Sequence, residues 1–329
     1  MASHWSDYAS IVWNYFFGTI GVILNILLIY FIFKHTPQPM KVYATVIRVG
    51  AVCELIYAFL AIILSTRIVA AGLSLILIFH GAINYFPTNR TITPYVCFFF
   101  YIFGVNSYLL SVLIVLFSLY YRQSIVTNPQ RTISQLQINC ICYGFSFIVF
   151  IYTLYIGTKD SPSIYEIDAL TRKERPGVIE SGFVYYVLFD ASGFSEWIVI
   201  FTNWIVLILG IVCRIRVYRK LSTLNMSPIS KQIQKNLMNI LLIQIITVFL
   251  PMFTTALHYI AVTWNEIQTP IIENLIFTLP MFLPSITPIA TIYYIDPYRR
   301  AIKRYFRVEN VQPPHFMSER LDTIPEHQY

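Results

Sequence analysis

The fold of this chain is decided by Ile11–Phe33, which reads IVWNYFFGTIGVILNILLIYFIF and carries no charged residue. A helix rises about 1.5 Å per residue, so about 20 apolar residues cross a hydrocarbon core about 30 Å thick. Six further apolar runs follow it: Val42–Leu64, Tyr95–Tyr120, Ile138–Ile156, Trp197–Cys213, Leu237–Ala261 and Ile271–Ile295. The pattern predicts an all-α polytopic membrane protein, a seven-transmembrane helix bundle. We place this domain at residues 1–307 and a flexible tail at 308–329.

The composition agrees with a membrane protein and excludes several other classes. Hydrophobic residues make up 57% of the 329 residues and charged residues 12%, against about 25% charged in soluble proteins. The net charge of +7 falls in the loops of one membrane face, so it indicates no nucleic-acid partner. Catalytic and phosphate-binding motifs are absent, and the five cysteines lack metal-ligand spacing. We therefore expect no enzymatic activity, cofactor, metal site or disulfide.

The distribution of Lys and Arg predicts the orientation, because these residues mark cytoplasmic loops. With the N-terminus outside, the cytoplasmic face carries 16 basic residues. Two lie in Lys34–Lys41, two in Tyr121–Gln137, six in Arg214–Lys235 and six in the tail. The opposite face carries six. The N-terminus is therefore predicted outside and the C-terminus inside.

An eight-span alternative would use the apolar stretch Ile68–Phe79 as a further span, and it gives 15 against 7 basic residues. Charge alone does not exclude it. At 12 residues, with Gly72 in its middle, the stretch is too short to cross a membrane. We interpret it as an interfacial or re-entrant segment.

Two N-x-Ser/Thr sequons begin at Asn89 and Asn225. They lie in loops of opposite sidedness, so at most one of them carries a glycan. The predicted topology selects Asn89, and an unused sequon close to the membrane is the alternative.

Several local motifs resemble those of nematode chemoreceptors, namely serpentine receptor class delta of the Str superfamily of G-protein-coupled receptors. They are Asn25–Tyr30 with Lys34–Pro37, Arg67–Gly72, Tyr120–Arg122, Met226–Lys231, and Leu283–Pro288 running to Asp296–Arg299. The resemblance covers almost the whole chain. It implies a chemosensory receptor that binds a small molecule and activates a heterotrimeric G protein, located in the plasma membrane, in sensory-neuron cilia.

The chain departs from the rhodopsin pattern at three points. Tyr121-Arg122 ends the third span without a preceding acidic residue, and Thr287-Pro288 replaces Asn-Pro in the seventh. Cys97 has no cysteine in Gly157–Glu196 to pair with. These departures leave the seven-helix fold intact and concern the mechanics of activation.

The predicted cytoplasmic face supplies the candidates for G-protein contact, and each has a structural alternative. They are Tyr121, Arg122, Arg219, Lys220, Tyr298, Arg299 and Arg300. Arg122 would contact the carboxyl end of a G-protein helix, or else reach lipid headgroups. Residues 297–307 form a basic amphipathic segment that is typical of a helix lying on anionic lipid. The acid-free loop Arg214–Lys235 also sets topology.

Within the spans, Glu54 is the candidate for a conformational switch, because a deep intramembrane carboxylate is costly and by default marks a functional site. A protonated Glu54 that hydrogen-bonds to a neighbouring helix is the structural alternative. Pro251 in the sixth span and Pro280, Pro284 and Pro288 in the seventh should kink their helices. Pro251, Pro284 and Pro288 are therefore candidate hinges, although proline is common in membrane helices.

The ligand pocket is expected in the outer half of the bundle. Its candidates by depth are Tyr101, Asn106, Tyr108, Asn203, His258, Tyr259 and Phe277. Packing between helices is the alternative for the aromatic residues. Such a lining would suit a small, mostly apolar molecule.

A seven-helix channel or transporter of inverted topology is the competing function. Transporters commonly show internal repeats, and the two halves of this chain show none. A gated channel of the insect odorant type would place the N-terminus inside, against the charge distribution.

Overall fold

A computed structural model describes residues 5–37, 40–71, 74–85, 92–127, 164–174, 184–188, 194–223, 228–265 and 270–305, with single residues between 137 and 155. The long helices are α1 (Trp5–His35), α2 (Lys41–Leu64), α3 (Thr93–Thr127), α5 (Phe194–Thr223) and α6 (Pro228–Asn265). Shorter ones are α4 (Ile164–Glu174), α7 (Pro270–Thr278), α8 (Phe282–Tyr294) and α9 (Asp296–Tyr305). The predicted span Ile138–Ile156, residue Asn89 and the tail 308–329 lie outside the described residues, apart from single positions in that span.

The described helices close into a ring. α1 packs against α2 and α8, α2 against α3, α3 against α5 and α6, and α6 against α5, α7 and α8. Four stretches among the described residues are long and apolar enough to cross a membrane: Trp5–His35, Tyr43–Leu64, Thr93–Tyr121 and Pro270–Tyr294. A fifth, Gln234–Leu250, is apolar but shorter. The predicted helical membrane bundle is confirmed as a fold class.

The stretch predicted to be an interfacial or re-entrant segment contributes two paired β-strands, which the sequence did not predict. Strand β1 (Thr66–Ala71) pairs antiparallel with β2 (Ser74–Phe79), and β2 pairs antiparallel with β3 (Val184–Leu188). Ile76 and Leu77 point to opposite faces of β2, yet both are fully buried. A strand that is apolar on both faces reads as a continuous apolar run, which periodicity cannot distinguish from a helix segment.

The sheet packs over one end of the helix ring, which we call the sheet end. Its buried residues form one apolar cluster with Cys97, Phe98 and Ile102 of α3 and Ile276 of α7. The Phe98 ring stacks on Tyr186 of β3 with centroids 4.2 Å apart. The opposite end, where α1 ends at His35 and α9 packs on it, is the α9 end.

The chain leaves α2 for β1 in a tight turn at Ser65, whose φ of 40° lies in the left-handed region. The end of β2 then satisfies carbonyls at the end of α2, since Gly81 N donates to Leu64 O at 2.9 Å. A Cβ at Gly81 would lie 2.3 Å from the Ile63 carbonyl oxygen. Only glycine allows this approach, which fixes the hairpin on α2.

The seventh span is two helices rather than one. A 3-10 turn at Leu279–Met281 separates α7 from α8, and it contains Pro280, which has no N–H to continue an α-helix. The Phe282 N–H bonds to Leu279 O and Pro280 O instead of Thr278 O, four residues earlier. The Trp13 indole of α1 donates to the Thr278 oxygen at this interruption, at 2.8 Å. α6, by contrast, continues as helix through Pro251.

Candidate ligand-binding site

A buried cluster of charges closes the sheet end. Arg67 of β1 donates from Nη1 to Asp7 Oδ1 of α1 at 2.9 Å and from Nε to Glu273 Oε2 of α7 at 2.9 Å. Both carboxylate side chains are about 5% exposed. Asn274 Nδ2 also donates to Asp7 Oδ1, at 2.9 Å. One guanidinium thus joins three elements that are far apart in sequence.

His80 lies beside this cluster, just after β2, and is 5% exposed. Burial lowers the pKa of its imidazole to about 4, with Arg67 acting in the same direction and Asp7 opposing it. The imidazole is therefore neutral at pH 7. The cost of burying a second cation here outweighs its attraction to Asp7.

A small cavity lies directly below the cluster, between α1, α2, α3 and α7. Its volume is about 30 Å³, room for one or two water molecules. Three aromatic rings line it, from Tyr57, Tyr101 and Phe277, with the polar Asn14 and Thr66. The remaining lining residues are small or aliphatic: Leu60, Ala61, Leu64, Gly104 and Val105. The lining carries no formal charge.

Two polar and aromatic contacts shape this cavity. The Tyr101 and Phe277 rings meet edge to face with centroids 5.8 Å apart. Asn14 is 1% exposed, and its Nδ2 donates to Ser65 Oγ at 3.0 Å. Its amide oxygen, Oδ1, has no hydrogen-bond partner among the described residues. An unpaired buried acceptor is costly unless something else donates to it.

The predicted pocket residues divide into three groups. Tyr101 and Phe277 line the cavity. Tyr108 is buried deeper, with its ring 5.5 Å from that of Tyr57, and Asn106 donates to Ile102 O of its own helix at 2.8 Å. These two do not line the cavity. The remaining three lie on helices α5 and α6 with side chains outside the described part: Asn203, His258 and Tyr259.

Sequence reasoning missed Asn14, Thr66 and the Arg67 cluster. Asn14 is a polar residue in an otherwise apolar run, and that signal could have identified it. Arg67 was counted among the basic residues of the predicted outer face, and Glu273 was given no role. Nothing in the sequence indicated that a hairpin would turn Arg67 back over the bundle.

A second cavity, of about 20 Å³, lies deeper and surrounds Glu54. Ser111 Oγ of α3 donates to Glu54 Oε1 of α2 at 3.1 Å, and Thr287 of α8 is the next polar group that faces the carboxyl. The side chain is 2% exposed. No Lys, Arg or His lines this cavity. The predicted switch residue thus lies where three helices converge, without a cation beside it.

The predicted hinges Pro284 and Pro288 share one hydrogen-bond defect. Pro288 has no N–H, so the carbonyl of Pro284, four residues earlier, has no helical donor. Asn25 Nδ2 of α1 donates to this oxygen at 2.8 Å and to Gly21 O at 2.9 Å. A Cβ at Gly21 would lie 3.3 Å from Pro284 Cβ. The proline defect is therefore held closely against α1.

The α9 end presents an exposed basic surface. Arg219, Lys220, Arg299 and Arg300 are exposed, whereas Tyr121 is partly buried against the core. Arg122 lies in the last turns of α3, and its side chain is outside the described part.

Tyr298, predicted to face the G protein, is buried and does not belong to that exposed surface. It is 1% exposed, and its hydroxyl is 2.8 Å from Thr36 Oγ1. The amphipathic pattern of α9 places this ring inward, where it holds α9 on the end of α1. Lys34 Nζ of α1 also links the two helices, because it donates to the Tyr30 hydroxyl at 2.9 Å and to the Tyr305 hydroxyl of α9 at 3.2 Å.

Comparison with known proteins gives one consistent result. Residues 10–304 match the family described as serpentine type 7TM GPCR chemoreceptor Srd. Serpentine receptor class delta-3 of Caenorhabditis elegans is 25% identical, covering 96% of this chain and 93% of the relative. Class delta-1 of the same organism is 29% identical over 86% of this chain and 77% of the relative, and class delta-2 is 26% identical over 86% and 79%.

Proposed function

The chain belongs to the serpentine class delta family of seven-transmembrane chemoreceptors, and we propose that it works as a chemosensory receptor that activates a heterotrimeric G protein. The family is one of receptors rather than enzymes, and its members are multi-pass membrane proteins. In this proposal the N-terminus and the sheet end face outside and the α9 end faces the cytoplasm. The cell location we propose is the plasma membrane of sensory cilia, with Asn89 as the glycan acceptor.

The observation that carries the proposal is the separation of two unlike surfaces. The sheet end holds an uncharged cavity of about 30 Å³ lined by three aromatic rings, which a small molecule would enter by displacing a side chain such as that of Phe277. The α9 end exposes Arg219, Lys220, Arg299 and Arg300. A cationic surface of this kind attracts the negative carboxyl end of a helix.

The cavity and the α9 end are connected by helices with defined weak points. Phe277 lies at the cavity, one residue before the end of α7, and α8 then runs past Glu54 and the Pro288 defect to α9. A ligand that displaces Phe277 would act on the 3-10 turn directly. We propose this turn and the Pro284–Pro288 segment as the hinge of activation.

The test is Arg122→Ala. If Arg122 binds the G protein, ligand-independent and ligand-dependent nucleotide exchange should both fall by about tenfold or more, because a charge-assisted hydrogen bond in a dry interface is lost. Surface expression should stay near that of the unmodified receptor. Arg172→Ala is the matched control, since Arg172 is an exposed arginine on α4 at the sheet end and should leave exchange unchanged. Normal exchange by well-expressed Arg122→Ala would contradict the coupling role.

Orientation needs a separate measurement. An N-terminal epitope tag should be stained on intact cells and a C-terminal tag only after permeabilisation. The reverse result would favour the inverted channel or transporter. A glycan that is lost in Asn225→Gln instead of Asn89→Gln would also contradict the proposed topology.

A further inference from the structure

Two basic residues lie on one side of α2 near the α9 end, and the proposed receptor function does not use them. We propose that Lys41 and Arg48, together with the Phe33 ring of α1, bind the headgroup of one phospholipid that carries a net negative charge. The acyl chains of this lipid lie along the groove between α1 and α2.

The positions of these residues place them at the headgroup end of a lipid-facing surface. Lys41 and Arg48 are seven residues apart in α2, so they lie two turns apart on the same side of the helix. Val52 and Phe59, at four and eleven residues after Arg48, continue this side and are exposed. Large apolar side chains that are exposed in a membrane helix face the acyl chains. Two cations therefore end a surface that is otherwise apolar.

Arg48 lies within the span and has no counter-ion in the described part of the protein. It is seven residues from the first residue of α2, which corresponds to about 10 Å along the helix. Neither Arg48 nor Lys41 forms an ion pair or a side-chain hydrogen bond with a residue that the structure describes. Arg67, by contrast, has two carboxylate partners. Because an arginine at this depth is costly unless it reaches a partner, a lipid phosphate is the group that Arg48 requires.

The Phe33 ring holds the Arg48 guanidinium on the headgroup side. Arg48 Cζ lies 5.3 Å from the centroid of this ring, and Phe33 is two residues before the end of α1 at His35. Helical side chains lean toward the N-terminus of their own helix, and the first turn of α2 packs with α9. Arg48 therefore points out of the hydrocarbon core, and its contact with the exposed Phe33 ring fixes its direction.

The two cations favour an anionic phospholipid over a zwitterionic one. A planar guanidinium donates two parallel N–H···O bonds to a phosphate, and the lysine adds a second positive charge. Phosphatidylcholine balances its own phosphate with choline, whereas phosphatidylglycerol leaves its negative charge for these two residues. In the proposed orientation the α9 end faces the cytoplasmic leaflet, where anionic lipids are concentrated. Binding itself requires no particular orientation, so this proposal and the receptor function can fail separately.

The test counts the lipids bound to the detergent-purified receptor by native mass spectrometry, in titrations with dioleoylphosphatidylglycerol and dioleoylphosphatidylcholine. We expect one saturable site at which phosphatidylglycerol binds at least about tenfold more tightly than phosphatidylcholine. Glycerol 3-phosphate, which carries a phosphate without acyl chains, should not displace the lipid at an equal concentration. Equal affinities for the two lipids, displacement by glycerol 3-phosphate, or the absence of a saturable site would overturn the proposal.

Three variants examine the role of each cation. Arg48→Ala should weaken phosphatidylglycerol binding at this site by about tenfold, because the charge-assisted bonds to phosphate are lost. Arg48→Lys should recover only part of the affinity, since an ammonium group lacks the planar fork. Lys41→Gln, at the exposed end of the site, should weaken binding by about threefold. Unchanged affinity in Arg48→Ala would overturn the site, and if that variant does not fold, unchanged affinity in Lys41→Gln would do so.

Arg214→Ala is the matched control for the loss of one positive charge. The Arg214 Cζ of α5 also lies over an aromatic ring, 5.4 Å from the centroid of Tyr218. The positions two turns away on its side of the helix are Leu207 and Leu221, so it has no second cation like that of Arg48. Arg214→Ala should change phosphatidylglycerol binding by less than about twofold. A loss equal to that of Arg48→Ala would show a general attraction to basic residues and overturn the proposed site.

Discussion

Among the residues that the structure describes, acidic side chains are buried in two places, which differ in how the acid is accommodated. At the sheet end, Asp7 and Glu273 share the guanidinium of Arg67 through three hydrogen bonds, with N···O distances of 2.5 to 2.9 Å. In the middle of the bundle, Glu54 has Ser111 at 3.1 Å and a small cavity lined without any cation. The first arrangement holds three elements together through charge. The second offers only neutral hydrogen bonds, and space beside the carboxyl.

This difference separates structural from adaptable buried acids. Removing one member of a paired buried cluster leaves an uncompensated charge, whereas the pair itself adds little net stability. A carboxyl that is held by hydroxyl groups beside a cavity can change partners without exposing an unpaired ion. The Arg67 cluster therefore suits a fixed lid over the proposed ligand cavity, and Glu54 suits a position that rearranges.

The largest expected effect is that of Arg67→Ala. It leaves Asp7 and Glu273 buried without a cation, which should cost about 3–5 kcal/mol. The melting temperature of the purified receptor in one detergent should fall clearly, and surface expression should fall with it. A melting temperature equal to that of the unmodified receptor would show that the cluster does not hold the sheet end together.

The same chemical change in both places sharpens the comparison. Glu273→Gln removes a charged partner of Arg67 and should destabilise by about 1.5–3 kcal/mol. Glu54→Gln keeps an oxygen that accepts from Ser111, and no cation loses a partner. It should therefore lower the free energy of unfolding by less than about 1 kcal/mol. Both variants are compared by melting temperature in the same detergent. Equal losses would refute the distinction between the two acids.

The sheet end should also respond to acid through His80. Burial lowers the pKa of this imidazole to about 4, below the value near 6.5 of an unfolded chain. The unfolded state therefore binds more protons than the folded state between pH 6.5 and 4. The contribution of His80 to the free energy of unfolding is fully present above pH 6.5 and declines as the pH falls. The loss should reach about 2 kcal/mol at pH 5. The melting temperature of His80→Gln should vary less over this range, and identical pH profiles would contradict the assignment.

The smallest effect is expected at an exposed ion pair. Arg299 Nη2 is 2.6 Å from Asp296 Oδ1, and both side chains are more than one third exposed. Solvent screens such a pair, so Arg299→Ala should cost less than about 1 kcal/mol. The measurement is again the melting temperature, which makes this variant the control for Arg67→Ala. A fall in melting temperature as large as that of Arg67→Ala would mean that burial does not explain why the two ion pairs differ in stability.

The family resemblance and the helical membrane fold were both predictable from the sequence and are confirmed by the comparisons. The candidate site was predictable in part. Tyr101 and Phe277 were named from their depth in the spans, and the structure brings them together at one cavity. Asn106 was named for the same reason, but a buried amide can also satisfy itself on its own helix, and this one does.

The apolar runs by themselves determined that the chain forms membrane helices, because about 20 apolar residues have no other stable arrangement in lipid. The prolines likewise predicted an interruption in the seventh span, since a missing N–H is a local property. The tertiary structure alone decided that residues 66–79 form a hairpin and that Arg67 folds back onto Asp7 and Glu273. Those contacts join residues up to 206 positions apart. A strand that is apolar on both faces and a charge at the end of a span carry no local signal of their partners.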